Sequence, residues 1–183
     1  MKKMTSHSHP LQIGTIKMVG FSGLLGITFC PGKKDTFAQF GCWERDLDTD
    51  LDSLKAWGAS AVVSLIELNE FKLLDVGALG KGVRARSMSW YHLPIRDGSI
   101  PDTKFESRWQ TVSCQLLERL RRGKSIVVHC RGGLGRAGLV AARLMIGTGV
   151  PAEEAIRAVR AARPGAIETQ EQEDYVLSLP LPS

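Results

Sequence analysis

"VVHCRGGLGRAGLVAARLM", residues 127–145, is the stretch whose reading decides the fold. With the two residues before it, "SIVVHC" is apolar and β-branched, which predicts a buried strand. A glycine cluster follows, and residues 136–147 read as the helix fed by that strand. Two chemistries compete for the turn between them. Gly133, Gly135 and Gly138 satisfy G-x-G-x-x-G, the outline of a dinucleotide-binding turn. The same residues read His-Cys, five residues, then Arg, which suggests a thiolate facing an oxyanion.

The position of the turn argues against the dinucleotide. Such a turn normally opens its domain and is followed by a second strand ending in an acidic residue. Here it lies late in the chain, and Glu153 and Glu154 sit in the first turn of a helix opened by Pro151. "GKS" at 123–125 is no phosphate-binding P-loop either, because Glu118 stands where the first glycine is required. The thiolate reading uses more of the residues. Cys130 would end a buried strand just before a helix N-terminus. The amides of Arg131, Gly132, Gly133, Leu134, Gly135 and Arg136 could then converge on one anion. That field lowers a cysteine pKa from about 8.5. The glycines let the loop bend with its amides inward, and Arg136 offers a planar fork for two phosphate oxygens. The plainer alternative is an inert buried cysteine beside an ordinary glycine turn.

Outward from the loop, the chain alternates strands and helices. "DTDLDSLKAWGA" places Leu51, Leu54 and Trp57 at helical spacing, "SAVVSLI" reads as a buried strand, and "ELNEFKLL" as a short helix. "RSMSWYHLPI" is extended up to Pro94. A long helix fits 103–122, with Thr103 and Glu106 in a capping-box pattern and Phe105, Trp109, Val112, Leu116, Leu117 and Leu120 on one face. A further helix opens at Pro151 and a last one covers about 168–179. The expected fold is a single α/β domain: a central, mostly parallel sheet of four or five strands flanked by helices, with the loop between the last strand and the next helix. Residues 1–12 read as a flexible tail and 13–183 as the domain.

Composition narrows the class. Net charge is +5 and 43% of residues are hydrophobic, so a packed core is expected and the surface is too weakly basic to argue for nucleic acid. Cys30, Cys42, Cys114 and Cys130 form no C-x-x-C pair, and His7, His9, His92 and His129 show no metal-ligand spacing. Reduced thiols in a cytoplasm are expected. "MVGFSGLLGITFC" is broken by glycines and preceded by Lys17, so it reads as a strand–turn–strand lead-in rather than a signal or a membrane span. Arg157, Arg160 and Arg163 recur every three residues, as a solvated basic face or as a dock for an acidic partner.

"HCRGGLGRAG" resembles the H-C-x5-R loop of cysteine-dependent protein phosphatases. Together with "FCPGKKD", "HLPIRDGSIPD" and "GAIETQEQEDYV" it resembles the kinase-associated type of atypical dual-specificity phosphatase, over about residues 25–177. The resemblance implies a monomeric cytoplasmic enzyme that needs neither metal nor cofactor and acts on a phosphoprotein or phosphopeptide, without nucleic-acid or membrane partners. Phosphotyrosine is the expected substrate, with phosphoserine and phosphothreonine beside it. Phosphoinositides and RNA 5′-phosphates stay open, because such a loop reads the phosphate and not its carrier. The resemblance assigns Cys130 as nucleophile, Arg136 and residues 131–135 as phosphate holders, Asp97 as general acid and base, and His129 as the residue that orders the loop. Asp102 is the second candidate acid, with helix capping as its alternative role. Two departures stand out: Ala137 replaces the Ser or Thr usual after the arginine, and Glu168 replaces a water-orienting glutamine, for which Gln172 is a candidate substitute. Both bear on hydrolysis of the intermediate. The rival readings are a rhodanese-type sulfur transferase, whose loop usually places its arginine one residue closer, and a phosphate-binding pseudophosphatase.

Overall fold

Strands and helices alternate through residues 3–38 and 41–182, which the computed structural model describes (Phe37 without its side chain). In chain order they are β1 (Gly14–Lys17), β2 (Leu24–Phe29), β3 (Lys34–Ala38), β4 (Gly41–Glu44), α1 (Leu47–Trp57), β5 (Ala59–Ser64), α2 (Leu68–Leu73), α3 (Leu79–Ala85), β6 (Ser89–His92), α4 (Thr103–Arg121), β7 (Ser125–Cys130), α5 (Gly135–Ile146), α6 (Ala152–Ala162) and α7 (Gln170–Leu177). The five-stranded sheet runs β1-β2-β7-β5-β6, and β3 and β4 form a separate hairpin. β7 pairs in parallel with both β2 and β5, and only β1 is antiparallel in this sheet. The last strand of the chain is thus the central one. Its carboxyl end opens onto the sheet edge where α/β proteins bind ligands.

Alternation along β7 divides the core. Ile126, Val128 and Cys130 join one apolar cluster with residues of α4, α5, α6 and α7, while Val127 faces a second cluster built from α1, α3 and the chain around them. Both faces of β7 are therefore covered, which is why its sequence is a continuous apolar run.

Some local expectations are corrected. α4 is capped by Asp102, whose Oδ1 accepts the Phe105 N–H at 2.8 Å, so the cap lies one residue before Thr103. Glu106 then turns to Arg143 rather than back to the helix start. Pro151 is the N-cap of α6, one position outside the helix. α3 forms although Gly80 and Gly82 speak against a helix; a Cβ at Gly80 would lie 2.5 Å from the Trp90 ring. Within the segment expected to be a flexible tail, Met4 and His9 contact the hairpin and the residue that follows it. Met4 N–H donates to Cys42 O at 2.8 Å, Glu44 N–H to Met4 O at 3.0 Å, and the Arg45 guanidinium holds His9 O at 2.7 Å. Among the described residues, no helix is long and apolar enough to cross a membrane.

Candidate active site

Cys130 ends β7 with 3% of its surface exposed. The chain then turns through residues 131–134 into α5, and its glycines differ in what their positions demand. Gly133 has φ +70°, and a Cβ on it would stand 2.4 Å from Phe29 N and Thr28 C, so only glycine fits. Gly132 faces open space. At Gly135 a Cβ would meet the Glu168 and Gln172 side chains, which close over the start of α5.

Arg136 lies in the first turn of α5 and is 1% exposed. Its Nη1 donates to Glu70 Oε2 at 2.6 Å and to Ile95 O at 3.0 Å, and its Nη2 donates to Glu70 Oε1 at 2.9 Å. Asp97 Oδ1 stands 2.8 Å from Nη2. Burial works against the arginine's charge, but the Glu70 hydrogen bonds together with the field of Cys130, Glu70 and Asp97 outweigh it and hold the pKa above the ordinary value. For Glu70, burial likewise works against ionisation. Bonds from Arg136 and from the Glu67 N–H (2.8 Å) overcome it and keep the carboxyl below its usual range. Sequence reasoning missed Glu70. It lies 66 residues from Arg136, in a short helix whose pattern says only "Glu in the first turn".

His129 is fully buried, and burial lowers its pKa to about 4, so the ring is neutral near pH 7. Its tautomer follows from its neighbours. Trp90 Nε1 can only donate, and it does so to Ser64 Oγ at 2.8 Å. That bond uses one Ser64 lone pair, and the hydroxyl faces His129 Nε2 at 2.6 Å. Cys130 O, which can only accept, faces Nδ1 at 3.4 Å, so the imidazole proton sits on Nδ1 and Nε2 accepts from Ser64. A chain of three side chains across β6, β5 and β7 thus orients the residue before the cysteine.

The other predicted residues separate by role. Arg131 turns away from the loop to a bidentate pair with Asp35, at 2.9 and 3.0 Å. Asp102 is engaged as a cap. Ala137 is buried in the main core cluster. Glu168 accepts the Gly135 N–H at 2.8 Å through Oε2. Gln172 is fully buried and both ends of its amide are engaged: Oε1 accepts from Glu168 N and Thr169 N, and Nε2 donates to Ser99 O. That leaves it poorly suited to replace a water-orienting glutamine. The three arginines of α6 do not share one solvated face. Arg160 pairs with Glu173 at 2.6 Å, and Arg163 donates to Gly133 O and Gly132 O at 3.2 and 3.3 Å. A cleft of about 660 Å³ opens beside the loop, lined among others by Asp97, Gly132, Leu134, Arg163 and Glu168 and by Phe29, Trp43 and Pro10.

The family model described as "PTP-SAK: Swiss Army Knife protein, DSP-PTPase phosphatase domain" matches residues 40–176. The chain belongs to the dual-specificity/protein-tyrosine phosphatase family. Cyclin-dependent kinase inhibitor 3 of Rattus norvegicus is 31% identical to it over 172 residues, spanning 91% of this chain and 77% of that protein. Protein tyrosine phosphatase type IVA 3 of Homo sapiens is 33% identical over 127 residues, spanning 68% of this chain and 67% of its own. A crystal structure of kinase associated phosphatase with its catalytic-site cysteine substituted by serine superposes with a TM-score of 0.79 at 28% identity, covering 91% of this chain and 92% of that one. Membership makes the chain a phosphatase of the metal-independent cysteine type and sets aside the sulfur-transferase reading. The α/β domain with its central five-stranded sheet is this phosphatase fold.

Proposed function

We propose that this phosphatase hydrolyses phosphotyrosine in phosphoproteins, with phosphoserine and phosphothreonine as further substrates, acting as a cytoplasmic monomer through a phosphocysteine on Cys130. The observation that carries the reading is the meeting of Asp97 with the loop that carries Cys130 and Arg136. Cys130 ends the central strand, Arg136 lies under the same loop, and Asp97 comes within 2.8 Å of Arg136 from the segment after β6. The aromatic wall of Phe29 and Trp43 beside the loop favours a substrate that carries its phosphate on a ring.

In the first step the Cys130 thiolate attacks phosphorus, a P–S bond forms and the P–O bond to the leaving group breaks. Asp97 gives that oxygen a proton. Arg136 and the loop amides hold the remaining oxygens as charge moves onto them. In the second step water attacks phosphorus, its proton passes to the Asp97 carboxylate, and thiolate and inorganic phosphate are released. Two residues make this step the slow one. Ala137 has no hydroxyl to assist the departing sulfur, and Glu168 places a carboxylate where an amide would orient water.

The test is turnover of p-nitrophenyl phosphate. Cys130→Ser should abolish it and Asp97→Asn should lower kcat by about 10²–10⁴-fold. The first milliseconds should release nitrophenol in a burst equal to the enzyme, and Ala137→Ser should raise the steady rate that follows. Normal turnover in either Cys130→Ser or Asp97→Asn overturns the assigned roles. Phosphate binding without turnover in the unaltered protein favours the pseudophosphatase.

A further inference from the structure

Two strands away from Cys130 the sheet ends at β6, which pairs with β5 alone among the described residues. All four of its residues are half-buried, whereas β5 and β7 are each buried at five of six positions. Leu93 N–H donates to Ser64 O at 3.0 Å, so Tyr91 and Leu93 turn their peptide groups towards β5. The N–H and C=O of Trp90 and His92 therefore point outward, and no described backbone group outside the sheet pairs with them. The two faces of this edge differ. On one, the Trp90 and His92 rings stack 5.6 Å apart with 1° between their planes, and Phe71 of α2 meets both at 86°. On the other, a hollow of about 290 Å³ is lined by Tyr91, Gln115, Glu118, Arg119, Arg122 and Lys124. Arg119 is fixed there: Nη2 donates to Ser89 Oγ at 2.7 Å and Nε to Tyr91 Oη at 3.3 Å. Glu118 is taken by Arg122 at 2.7 Å, and among the described residues neither Arg119 nor Lys124 has a carboxylate partner.

We propose that β6 accepts an extended segment of a partner protein as a sixth strand, and that this segment alternates acidic with apolar residues. Laid beside β6, it would complete the outward hydrogen bonds of Trp90 and His92. Successive side chains of a strand point to opposite faces. Every second residue then lies over the basic hollow, and the residues between lie against Phe71, Trp90 and His92. Charge selects acids for the first set, and the aromatic face selects apolar side chains for the second. Charges at an open edge also guard against self-pairing. A second copy of this chain fits poorly, because antiparallel β6–β6 pairing sets two basic hollows side by side. This surface is separate from Cys130, and its role does not rest on the phosphatase mechanism.

The probe is a labelled, unphosphorylated peptide of alternating Glu and Val, whose binding to the full chain is followed by fluorescence anisotropy. It should bind about 10-fold or more tightly than a peptide of the same composition in scrambled order. Methylating its backbone nitrogens on the side that faces β6 should abolish binding, since the added strand then has no N–H to donate. Arg122→Glu and Lys124→Glu, both at exposed positions, should each weaken binding by about 10-fold and leave turnover of p-nitrophenyl phosphate unchanged. In NMR, the amide signals of Trp90 and His92 should move as the peptide is added. Equal binding of the alternating, scrambled and methylated peptides overturns strand addition and leaves charge attraction alone. Displacement of the peptide by saturating inorganic phosphate, or amide shifts confined to the phosphate loop, puts it at Cys130 and overturns the edge site. Absence of binding by any peptide also overturns the proposal. Protection of the Trp90 and His92 amides in a dimer would then give the edge to a second copy. Where a variant does not fold, the comparison of peptides on the unaltered protein decides alone.

Discussion

Replacing Glu70 tests whether the phosphate loop is built around a buried counter-charge. Arg136 is 1% exposed and Glu70 4%, and two N–H···O bonds of 2.6 and 2.9 Å join them. Removing one partner of such a pair costs about 3–5 kcal/mol, because the survivor stays buried without compensation. Ile95 O and Asp97 still face the guanidinium, which puts the expected loss for Glu70→Gln at the low end, about 3 kcal/mol. Gln keeps one oxygen for the Glu67 N–H at 2.8 Å and for Arg136 Nη1, but its amide nitrogen cannot accept from Nη2, so the substitution removes the charge and one hydrogen bond while sparing the cap. Glu70→Ala also removes the cap and should cost about 1 kcal/mol more. Urea unfolding in the absence and presence of inorganic phosphate is the assay. Phosphate replaces the missing negative charge and should return more stability to Glu70→Gln than it adds to the unaltered protein. Turnover of p-nitrophenyl phosphate should fall by about 100-fold, since the arginine loses the groups that fix its plane. Glu70→Gln within about 0.5 kcal/mol of the unaltered protein, with the same increment from phosphate in both, would refute the reasoning.

Three further outcomes are expected. Trp90→Phe removes the donor that fixes the Ser64 hydroxyl; it should cost about 1 kcal/mol and mix the two His129 tautomers, which the ring nitrogen shifts in NMR report. A single Nδ1–H tautomer in that variant disproves the relay. The folded-state pKa of His129 is depressed to about 4, so the unfolded chain takes up a proton that the folded one refuses. Stability should be full above about pH 6.5 and fall by about 3 kcal/mol as pH drops towards 4. The lowered pKa values of Glu70 and Glu106 extend the loss below the ordinary carboxylate range. Urea midpoints between pH 7 and pH 4 follow this, and an equal slope in His129→Gln would place its origin elsewhere. Gly133→Ala should cost more than about 2 kcal/mol, whereas Gly132→Ala, which faces open space, should stay within about 1 kcal/mol; equal melting temperatures for the two variants contradict the steric account.

What could be read from the sequence was what depends on neighbours in the chain. The strand into Cys130, the glycine turn and the helix from Gly135 are one continuous stretch, and a doubly covered strand writes itself as an apolar run. The apolar face of α4 was legible for the same reason, by its helical period. What stayed hidden depends on residues far apart. Glu70, Ser64 and Trp90 each act on the loop from another element, and nothing local distinguishes them from a surface glutamate, a strand serine and a core tryptophan. The hairpin β3–β4 begins Lys34-Asp35, charges that argue against a strand until Asp35 is seen to hold Arg131. Even the spacing of Arg157, Arg160 and Arg163 misled, because Arg163 lies at the end of α6, where the backbone leaves the helix and carries the side chain towards the loop.

The resting contacts of Arg136 connect binding to acid catalysis on the proposed mechanism. Three of its five N–H groups are committed to Glu70 and Ile95, which fix the guanidinium plane from behind. The position beside Nη2 is held by Asp97, whose side chain is otherwise 61% exposed. A phosphate taking the fork at its open edge needs that same Nη2, so it must displace the carboxyl. Gly98, with φ +72°, sits next to Asp97 where the segment turns, and on the proposed mechanism a rotation there would carry the carboxyl from the arginine towards the leaving oxygen. Arrival of the phosphate would thus free the acid for the leaving oxygen. The same carboxyl cannot return to Nη2 while a phosphoryl group sits on Cys130, so it stays over the site as the base for the second step.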